Sequence, residues 1–193
     1  GRVVATMDVL VEGVHFRRDW STAYDIGRKA AAANLADVAA MGGTATALLV
    51  GMAAPGDLPL SWALGLADGL RDEAAVVGAS IIGGDTVSCD RIVVSVTALG
   101  TVERWVTRTG ARPGDVVVIA GRTGRSAAGL SLLRQGISTG SLVDAHRRPT
   151  HPYALGPVLA EAGATAMCDV SDGLVADLGH IAAASGVAID LSS

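Results

Sequence analysis

Four short stretches of the sequence each place an aspartate beside small residues, at a point where one predicted element meets the next. They hold Asp8 in ATMDVLVEGVHF, Asp37 in NLADVAAMGG, Asp85 in IIGGDT, and Asp169 with Asp172 in MCDVSDGL. Small neighbours let a ligand approach the backbone closely, as a phosphate site requires. If these carboxylates converge, each like-charged pair at about 4 Å costs on the order of 4 kcal/mol at an effective dielectric near 20. Such a cluster is stable only if cations lie within it.

The donor atoms indicate which cation this would be. No histidine or cysteine is spaced as a partner of these acids, and an all-oxygen set favours Mg²⁺ over zinc. Mg²⁺ keeps part of its water shell and shares phosphate oxygens, which favours nucleotide chemistry. Simpler interpretations stay open, since Asp169, Ser171 or Asp172 could cap a helix and Asp85 could be a turn residue. Asp37 is different, because an unpaired carboxylate on an alanine-rich helix face costs several kcal/mol if it is buried.

The composition narrows the class of protein. Half of the 193 residues are hydrophobic, so the chain can bury a core and is not disordered. Only 3% are aromatic and the net charge is −4, which argues against nucleic-acid binding. Lys29 is the only lysine, and this excludes a P-loop. Cys89 and Cys168 are too few and too isolated for a disulfide framework or a zinc site, and they indicate a reducing compartment.

The chain contains no stretch of membrane-spanning length and no opening signal peptide, so we expect a cytoplasmic protein without a membrane partner. Both ends resemble interrupted strands, so we expect a piece of a longer protein. The polar, turn-rich stretch RTGARPGD predicts a boundary between a domain at 1–110 and another at 111–193. Periodicity and capping predict strands at 3–7, 45–54, 79–85, 91–102, 116–121, 164–170 and 187–190, and helices over 22–42, 58–78, 124–136, 154–162 and 172–185.

In order, the stretches DVLVEGVHF, NLADVAAMGG, IIGGDT, TRTGARPGD, GRSAAGL and DVSDGL resemble the motif set of the thiamine-monophosphate kinases. That family lies in the superfamily of aminoimidazole ribonucleotide synthetase. The resemblance covers nearly the whole chain, and VEGVHF beside SDGL is typical of the kinase branch. It implies a mixed α/β fold of two domains. The first is a mixed sheet with helices that pairs in a homodimer, and the second is an α/β domain incomplete in this chain.

The resemblance also implies an activity and a site. The γ-phosphoryl of ATP would pass directly to thiamine monophosphate with the help of several Mg²⁺ ions, giving thiamine diphosphate. The acceptor phosphate has a second pKa near 6, so it is already mostly an anion near neutral pH and needs no general base. By motif correspondence, the metal ligands are Thr6, Asp8, Asp37, Asp85, Asp169 and Asp172; the catalytic carboxylates are Asp37, Asp85 and Asp169; the ATP contacts are Gly84, Asp85, Arg108 and Ser171; and the contact to thiamine phosphate is His15.

The sequence departs from the family's pattern at two positions. Met7 stands where many members have a hydroxyl residue, and Ala67 replaces an aromatic that contacts the nucleotide. The family's first acidic motif, its late Gly-Gly-Glu-Asp motif and its substrate-stacking aromatics are not found in the 193 residues. We therefore expect little or no activity from these residues alone.

Several alternatives stay open at this point. The protein could be another ATP-dependent enzyme of the superfamily, a non-catalytic module that binds nucleotide and magnesium, or a structural domain whose acids are all caps. His15 could be a strand-end histidine bonded to the backbone, and Arg108 could be a surface arginine.

Overall fold

The computed structural model describes residues 1–191. The first part of the chain alternates strands and helices, and the second part has helices as its regular elements. In chain order these are β1 (Arg2–Val11), α1 (Ala23–Ala40), β2 (Thr44–Ala54), α2 (Leu60–Val76), β3 (Ser80–Ser88), β4 (Val93–Val102), α3 (Arg125–Arg134), α4 (Ser141–Arg147), α5 (Leu155–Glu161) and α6 (Leu174–Ser185).

The four strands form one mixed sheet in the order β1-β4-β2-β3, which confirms the sheet predicted for the first domain. β4 pairs antiparallel with β1 and β2, while β2 and β3 are parallel because α2 carries the chain across between them. The helix-facing side of β4 is fully buried at Val94, Val96 and Ala98. On the opposite, open face of the sheet, Val3 is 72% exposed and Met7 61%.

The start of α1 follows the sequence prediction. The Thr22 hydroxyl accepts a hydrogen bond from the Asp25 N–H at 3.2 Å, and the Asp25 carboxylate accepts one from the Thr22 N–H at 3.0 Å. This capping box fixes the first turn of the helix. Further along, a Cβ added to Gly27 would lie 2.2 Å from the Leu66 carbonyl oxygen, so α1 and α2 pack backbone to backbone. The paired helices cover the inner face of the sheet.

Three predicted strands are wrong for the described residues. Residues 116–121, 164–170 and 187–190 adopt no strand, and Val116 is 83% exposed. A strand needs a ladder of backbone hydrogen bonds to a neighbour, and within residues 1–191 none of these three segments forms one, although the Met167 N–H donates to the Thr107 carbonyl. β1 also runs past Asp8 to Val11, so Asp8 lies inside a strand and not at its end. Helix α4 was not predicted.

Specific contacts dock the second part of the chain onto α1 and α2. The Tyr153 hydroxyl donates to Glu73 Oε1 at 2.7 Å in a buried position. Gly156 lies so close to α1 that an added Cβ would be 2.0 Å from the Ala39 carbonyl oxygen. Arg104 donates to the Ala160 carbonyl at 2.7 Å, near the end of α5. Residues 1–191 include no helix with both the length and the apolar character needed to cross a membrane.

Candidate functional site

Strand β1 and helix α1 hold two acids side by side. The Thr6 hydroxyl donates to Asp37 Oδ2 at 2.6 Å, which joins the strand to the helix. The Asp8 backbone N–H donates to Asn34 Oδ1 at 3.0 Å, and Asn34 Nδ2 donates to the Ala30 carbonyl at 3.0 Å. Asn34 is fully buried, so its side chain locks the register of β1 against α1. These hydrogen bonds fix Asp8 and Asp37 at the place where β1 packs against α1.

A third carboxylate, that of Asp169, acts electrostatically on both acids. Burial raises the pKa of Asp37, and the charges of Asp169 and Asp8 raise it further, against the Thr6 hydrogen bond and the Arg108 charge. Burial also raises the pKa of Asp8, with Asp169 adding to it and His15 opposing it. Three carboxylates therefore lie within electrostatic reach of one another, and the Arg108 guanidinium is a nearby positive charge.

Asp169 comes from the second part of the chain, on a loop between α5 and α6. The Met167 N–H donates to the Thr107 carbonyl at 3.0 Å, which ties this loop to the segment that follows the sheet. Arg108 Nη2 lies 4.0 Å from Asp169 Oδ1. The Ser185 hydroxyl of α6 donates to the Arg108 carbonyl at 3.0 Å and so holds the arginine's backbone. The loop and the arginine reach the first part's acids together.

Asp172 belongs to a different group. Ligand atoms of Asp172, Asp177 and His180 all lie within 4.8 Å of one another. Asp177 Oδ2 accepts hydrogen bonds from the N–H groups of Asp172 at 3.1 Å and Gly173 at 3.0 Å. Asp177, which is 5% exposed, thus satisfies the backbone donors at the start of α6. The N-cap itself is Gly173 with no side-chain cap, so the idea that Asp169, Ser171 or Asp172 caps this helix is wrong.

Gly84 and Asp85 lie across the sheet from the acids. Strand register places Gly84, through Val50 and one residue of β4, in the same row as Asp8. The two are three strands apart, about 14 Å at the usual strand spacing. Asp85 is the next residue, so its side chain points to the open face, and its carboxylate accepts from the Thr86 N–H at 2.8 Å.

Of the predicted site residues, the structure brings one group together and leaves others apart. The grouped residues are Thr6, Asp8, Asp37, Arg108 and Asp169. Among residues 1–191, no hydrogen bond or ion pair joins this group to the remaining predicted ATP and metal residues, namely Gly84, Asp85, Ser171 and Asp172.

His15 follows β1 in a tight turn. Its Nδ1 accepts a hydrogen bond from the Val11 N–H at 3.0 Å, so a neutral ring carries its proton on Nε2. The backbone bond expected of a strand-end histidine is therefore present. The same bond leaves Nε2–H as a free donor on an exposed side chain. Because the charge of His15 acts on the pKa of Asp8, the ring lies near the acids.

Comparison with protein-family models gives two matches along the chain. Residues 1–102 match the family described as AIR synthase related protein, N-terminal domain, and residues 112–193 match AIR synthase related protein, C-terminal domain. The chain belongs to this family.

Comparison with individual proteins gives matches that are more specific than the family AIR synthase related protein. The chain is 52% identical over 196 residues to the thiamine-monophosphate kinase of Mycobacterium tuberculosis, covering 100% of this chain and 59% of the relative. The crystal structure of thiamine monophosphate kinase from Aquifex aeolicus superposes with a TM-score of 0.90 at 36% identity, over 95% of this chain and 63% of that one. A structure of AaThiL complexed with AMPPCP and TMP gives 0.91 at 36% identity, over 95% and 60%. This chain thus spans about three fifths of its relatives' length.

Two departures from the family's pattern have clear positions in this AIR synthase related chain. Met7 lies on the open face of the sheet, opposite to Thr6 and Asp8, so its side chain points away from the acids. Ala67 lines a surface cavity of about 490 Å³ between α2 and β3, and none of the described carboxylates lines this cavity. The acids therefore mark the candidate site, and the cavity lies elsewhere.

Asn34 and Asp177 are site-shaping residues that sequence reasoning missed. The signal for Asn34 was present, since it lies three residues before Asp37 and is a polar residue within an alanine-rich, buried helix. Asp177 lies in the first turn of α6, where a carboxylate is favoured by the exposed N–H groups.

Proposed function

We propose that the whole protein is a kinase that transfers the γ-phosphoryl of ATP onto the phosphate of thiamine monophosphate, giving thiamine diphosphate and ADP. The observation that carries this proposal is that Asp8 and Asp37 of the first part lie within electrostatic reach of Asp169 of the second, which adds to the effect of burial in raising the pKa values of Asp8 and Asp37. The 52% identity to a thiamine-monophosphate kinase supports the choice of reaction. The AaThiL structure complexed with AMPPCP and TMP supports the choice of reactants.

Mg²⁺ fits the donor set of the cluster. Thr6, Asp8, Asp37 and Asp169 offer only oxygen atoms, and burial together with neighbouring carboxylate charge raises the pKa values of Asp8 and Asp37, which a bound cation would oppose. When bound, Mg²⁺ would neutralise phosphate charge and hold two anions in line. Asp85 and Asp172 are proposed as ligands of further ions on the family resemblance. Asp37, Asp85 and Asp169 are the proposed catalytic carboxylates.

The chain's own residues would bind and orient the reactants. Arg108 presents its guanidinium beside Asp169 and would hold a phosphate of ATP with its paired N–H donors. Gly84, Asp85 and Ser171 are the other proposed ATP contacts, and a side chain at 84 is excluded because its Cβ would lie 1.9 Å from the Val50 carbonyl oxygen. His15 would donate from Nε2–H to the thiamine phosphate. No residue need remove a proton, because the acceptor phosphate is already ionised near neutral pH.

The proposed assembly is a homodimer formed by the first domain, residues 1–110, with the second domain at 111–193. The open face of the sheet supports this, because Val3, Met7 and Val9 are 72%, 61% and 39% exposed in one continuous row. Asp85 projects from the same face, so ATP would bind near the dimer interface. The proposed location is the cytoplasm, in keeping with the two free cysteines Cys89 and Cys168. Neither nucleic acid nor membrane is a proposed partner.

The test is a turnover assay on the protein as its gene encodes it. ATP, Mg²⁺ and thiamine monophosphate are supplied, and ADP and thiamine diphosphate are measured by mass spectrometry. We expect both products in equal amounts, and neither when the metal is chelated. ADP formed only with another acceptor would instead indicate a different enzyme of the family. Binding of ATP and Mg²⁺ without turnover would indicate a regulatory module, and no Mg²⁺-dependent binding would indicate a structural domain.

A further inference from the structure

Within residues 1–191, Lys29 is a cation without a carboxylate partner. Its three nearest basic neighbours along the chain, Arg17, Arg18 and Arg28, each pair with a carboxylate. The Lys29 side chain is partly buried, and burial lowers the pKa of its ammonium, a shift that no carboxylate of the described residues opposes. Among residues 1–191 its hydrogen bond goes to the His15 carbonyl oxygen, at 3.4 Å from Nζ. A partly desolvated charge with so little compensation is costly unless an anion comes to it.

The fold places Lys29 on the line of contacts that holds the acids. β1 and the turn after it run antiparallel along α1, and three contacts mark the path. The Thr6 hydroxyl donates to Asp37, the Asp8 N–H donates to Asn34, and the Lys29 ammonium donates to the carbonyl of His15 in the turn. Lys29 lies eight residues before Asp37 on the same helix, about 12 Å along the axis at the usual rise. The ammonium therefore lies beyond the acidic cluster, on the side of His15.

In the part of the chain that the structure describes, the surroundings of Lys29 offer donors and no carboxylate that acts on its pKa. The Nδ1 of His15 is already bonded to the backbone, which leaves Nε2–H free. His146 approaches from α4, and burial together with the Lys29 charge lowers its pKa to about 4, so it is neutral near pH 7. The Lys29 ammonium and the His15 Nε2–H lie on one side, and the proposed metal-binding acids lie on the other. A phosphate between them would bind the two donors at one end and a metal ion at the other.

We propose that Lys29 is a phosphate-binding residue of the acceptor subsite, where its ammonium and His15 Nε2–H hold the phosphate of thiamine monophosphate. This inference rests on the proposed function. A phosphate of ATP has the same chemistry, but position favours the acceptor. The cation on the nucleotide side is Arg108, which lies beside Asp169. Lys29 lies at the opposite end of the line of contacts.

The experiment compares Lys29→Met with wild type in the protein as its gene encodes it. Steady-state turnover gives separate KM values for thiamine monophosphate and for ATP. Since a hydrogen bond to a charged group contributes a factor of about 10 to 100, we expect KM for thiamine monophosphate to rise by that factor. KM for ATP should change by less than about twofold, and Lys29→Arg, which keeps the charge, should recover part of the loss. The control is Arg17→Met, which removes an exposed, already paired cation two residues from His15.

The outcomes separate this inference from the proposed function. Failure of the wild-type protein to phosphorylate thiamine monophosphate would refute the function, and the subsite with it. Normal wild-type turnover with an unchanged KM for thiamine monophosphate in Lys29→Met would refute the subsite alone. An equal rise in both KM values, or a rise for ATP only, would also overturn it. KM does not depend on the active fraction, and Lys29→Gln provides the same comparison if Lys29→Met melts below the assay temperature.

Discussion

The two parts of this chain differ in how their structure is specified. In the first part, four strands pair into one sheet and bury Val94, Val96 and Ala98 beneath two helices. In the second part, helices form but residues 116–119 remain exposed in an apolar run. A helix satisfies its backbone groups within its own segment, whereas a strand depends on a neighbour. The comparison shows that strands require a partner segment, whereas a helix forms without one.

The acids of the candidate site are also held differently in the two parts of the chain. Asp8 and Asp37 are held by side-chain and backbone hydrogen bonds between β1 and α1, through Thr6 and the buried Asn34. Asp169 lies on a loop, and its position depends on how the second part docks onto the first. We therefore expect a substitution at the acids of the first part to lower the rate of turnover directly. A substitution at the contacts that dock the second part onto the first should lower the free energy of unfolding first.

The largest effect is expected from Asp37→Asn. This substitution removes a charge from the proposed metal site and keeps the shape of the side chain. Because a bound metal ion contributes several kcal/mol to charge stabilisation, we expect turnover to fall by about 10³-fold with the unfolding transition still cooperative. ADP formation and thermal melting measure the two quantities. Asp68→Asn, an exposed residue paired with Arg71, is the control, and wild-type turnover by Asp37→Asn would remove Asp37 from the site.

Gly156→Ala tests the docking of α5 on α1. The new Cβ would meet the Ala39 carbonyl oxygen at 2.0 Å, so the helices must separate. Overpacking of this kind costs about 1–3 kcal/mol of unfolding free energy, measured by urea denaturation. The matched control is Gly179→Ala in α6, where nothing lies within 4 Å of the added Cβ and helix propensity predicts a gain of about 0.5–1 kcal/mol. Equal stability of the two variants would contradict the close docking.

Tyr153→Phe tests the polar part of the same docking. The hydroxyl donates to Glu73 Oε1 in a buried position, and its loss leaves that oxygen without this donor. We expect a loss of about 1–2 kcal/mol in the free energy of unfolding. Tyr24→Phe makes the same chemical change at a partly exposed bond to Asp72, and it should cost about half as much or less. A smaller loss of unfolding free energy for Tyr153→Phe than for Tyr24→Phe would show that the buried hydrogen bond does not stabilise the docking of the two parts.

The smallest effect is a pH dependence of stability in the absence of divalent metal. Burial raises the pKa of Asp8 and Asp37, so between the unfolded value of 3.8 and the raised folded values the folded state binds more protons. Their contribution is complete below pH 3.8 and is lost as pH rises through the folded pKa values. We expect less than about 1 kcal/mol, because solvent screens partly exposed carboxylates. Urea titrations with a chelator should show this slope in wild type and a flatter one in the Asp8→Asn, Asp37→Asn double variant.

Much of the first part was predictable from the sequence. The Thr22–Asp25 capping box, the ends of α1 and α2 and the four strands all follow from local signals. The acids Asp8 and Asp37 were identified by type and spacing, but Asn34, which locks them in register, was hidden in an alanine-rich run. The reach of β1 to Val11 was missed, because pairing with β4 extends a strand beyond its β-branched core.

The sequence was less informative where structure depends on distant contacts. The apolar stretch at 116–119 has the composition of a strand but finds no partner among the described residues. Asp172 and Asp169 are three residues apart in sequence, yet hydrogen bonds draw Asp172 towards Asp177 and leave Asp169 with Arg108. Asp85 faces the open side of the sheet, a fact that depends on strand register and not on the motif around it.

The most direct test replaces Mg²⁺ with Mn²⁺ and locates it by anomalous diffraction from crystals of the protein with a non-hydrolysable ATP analogue and thiamine monophosphate. We expect at least one ion within about 2.2 Å of carboxylate oxygens from Asp8, Asp37 and Asp169, at the distances that hard cations keep to oxygen. Anomalous density only at Asp172, Asp177 and His180, with the three converging acids bound to no ion, would contradict it.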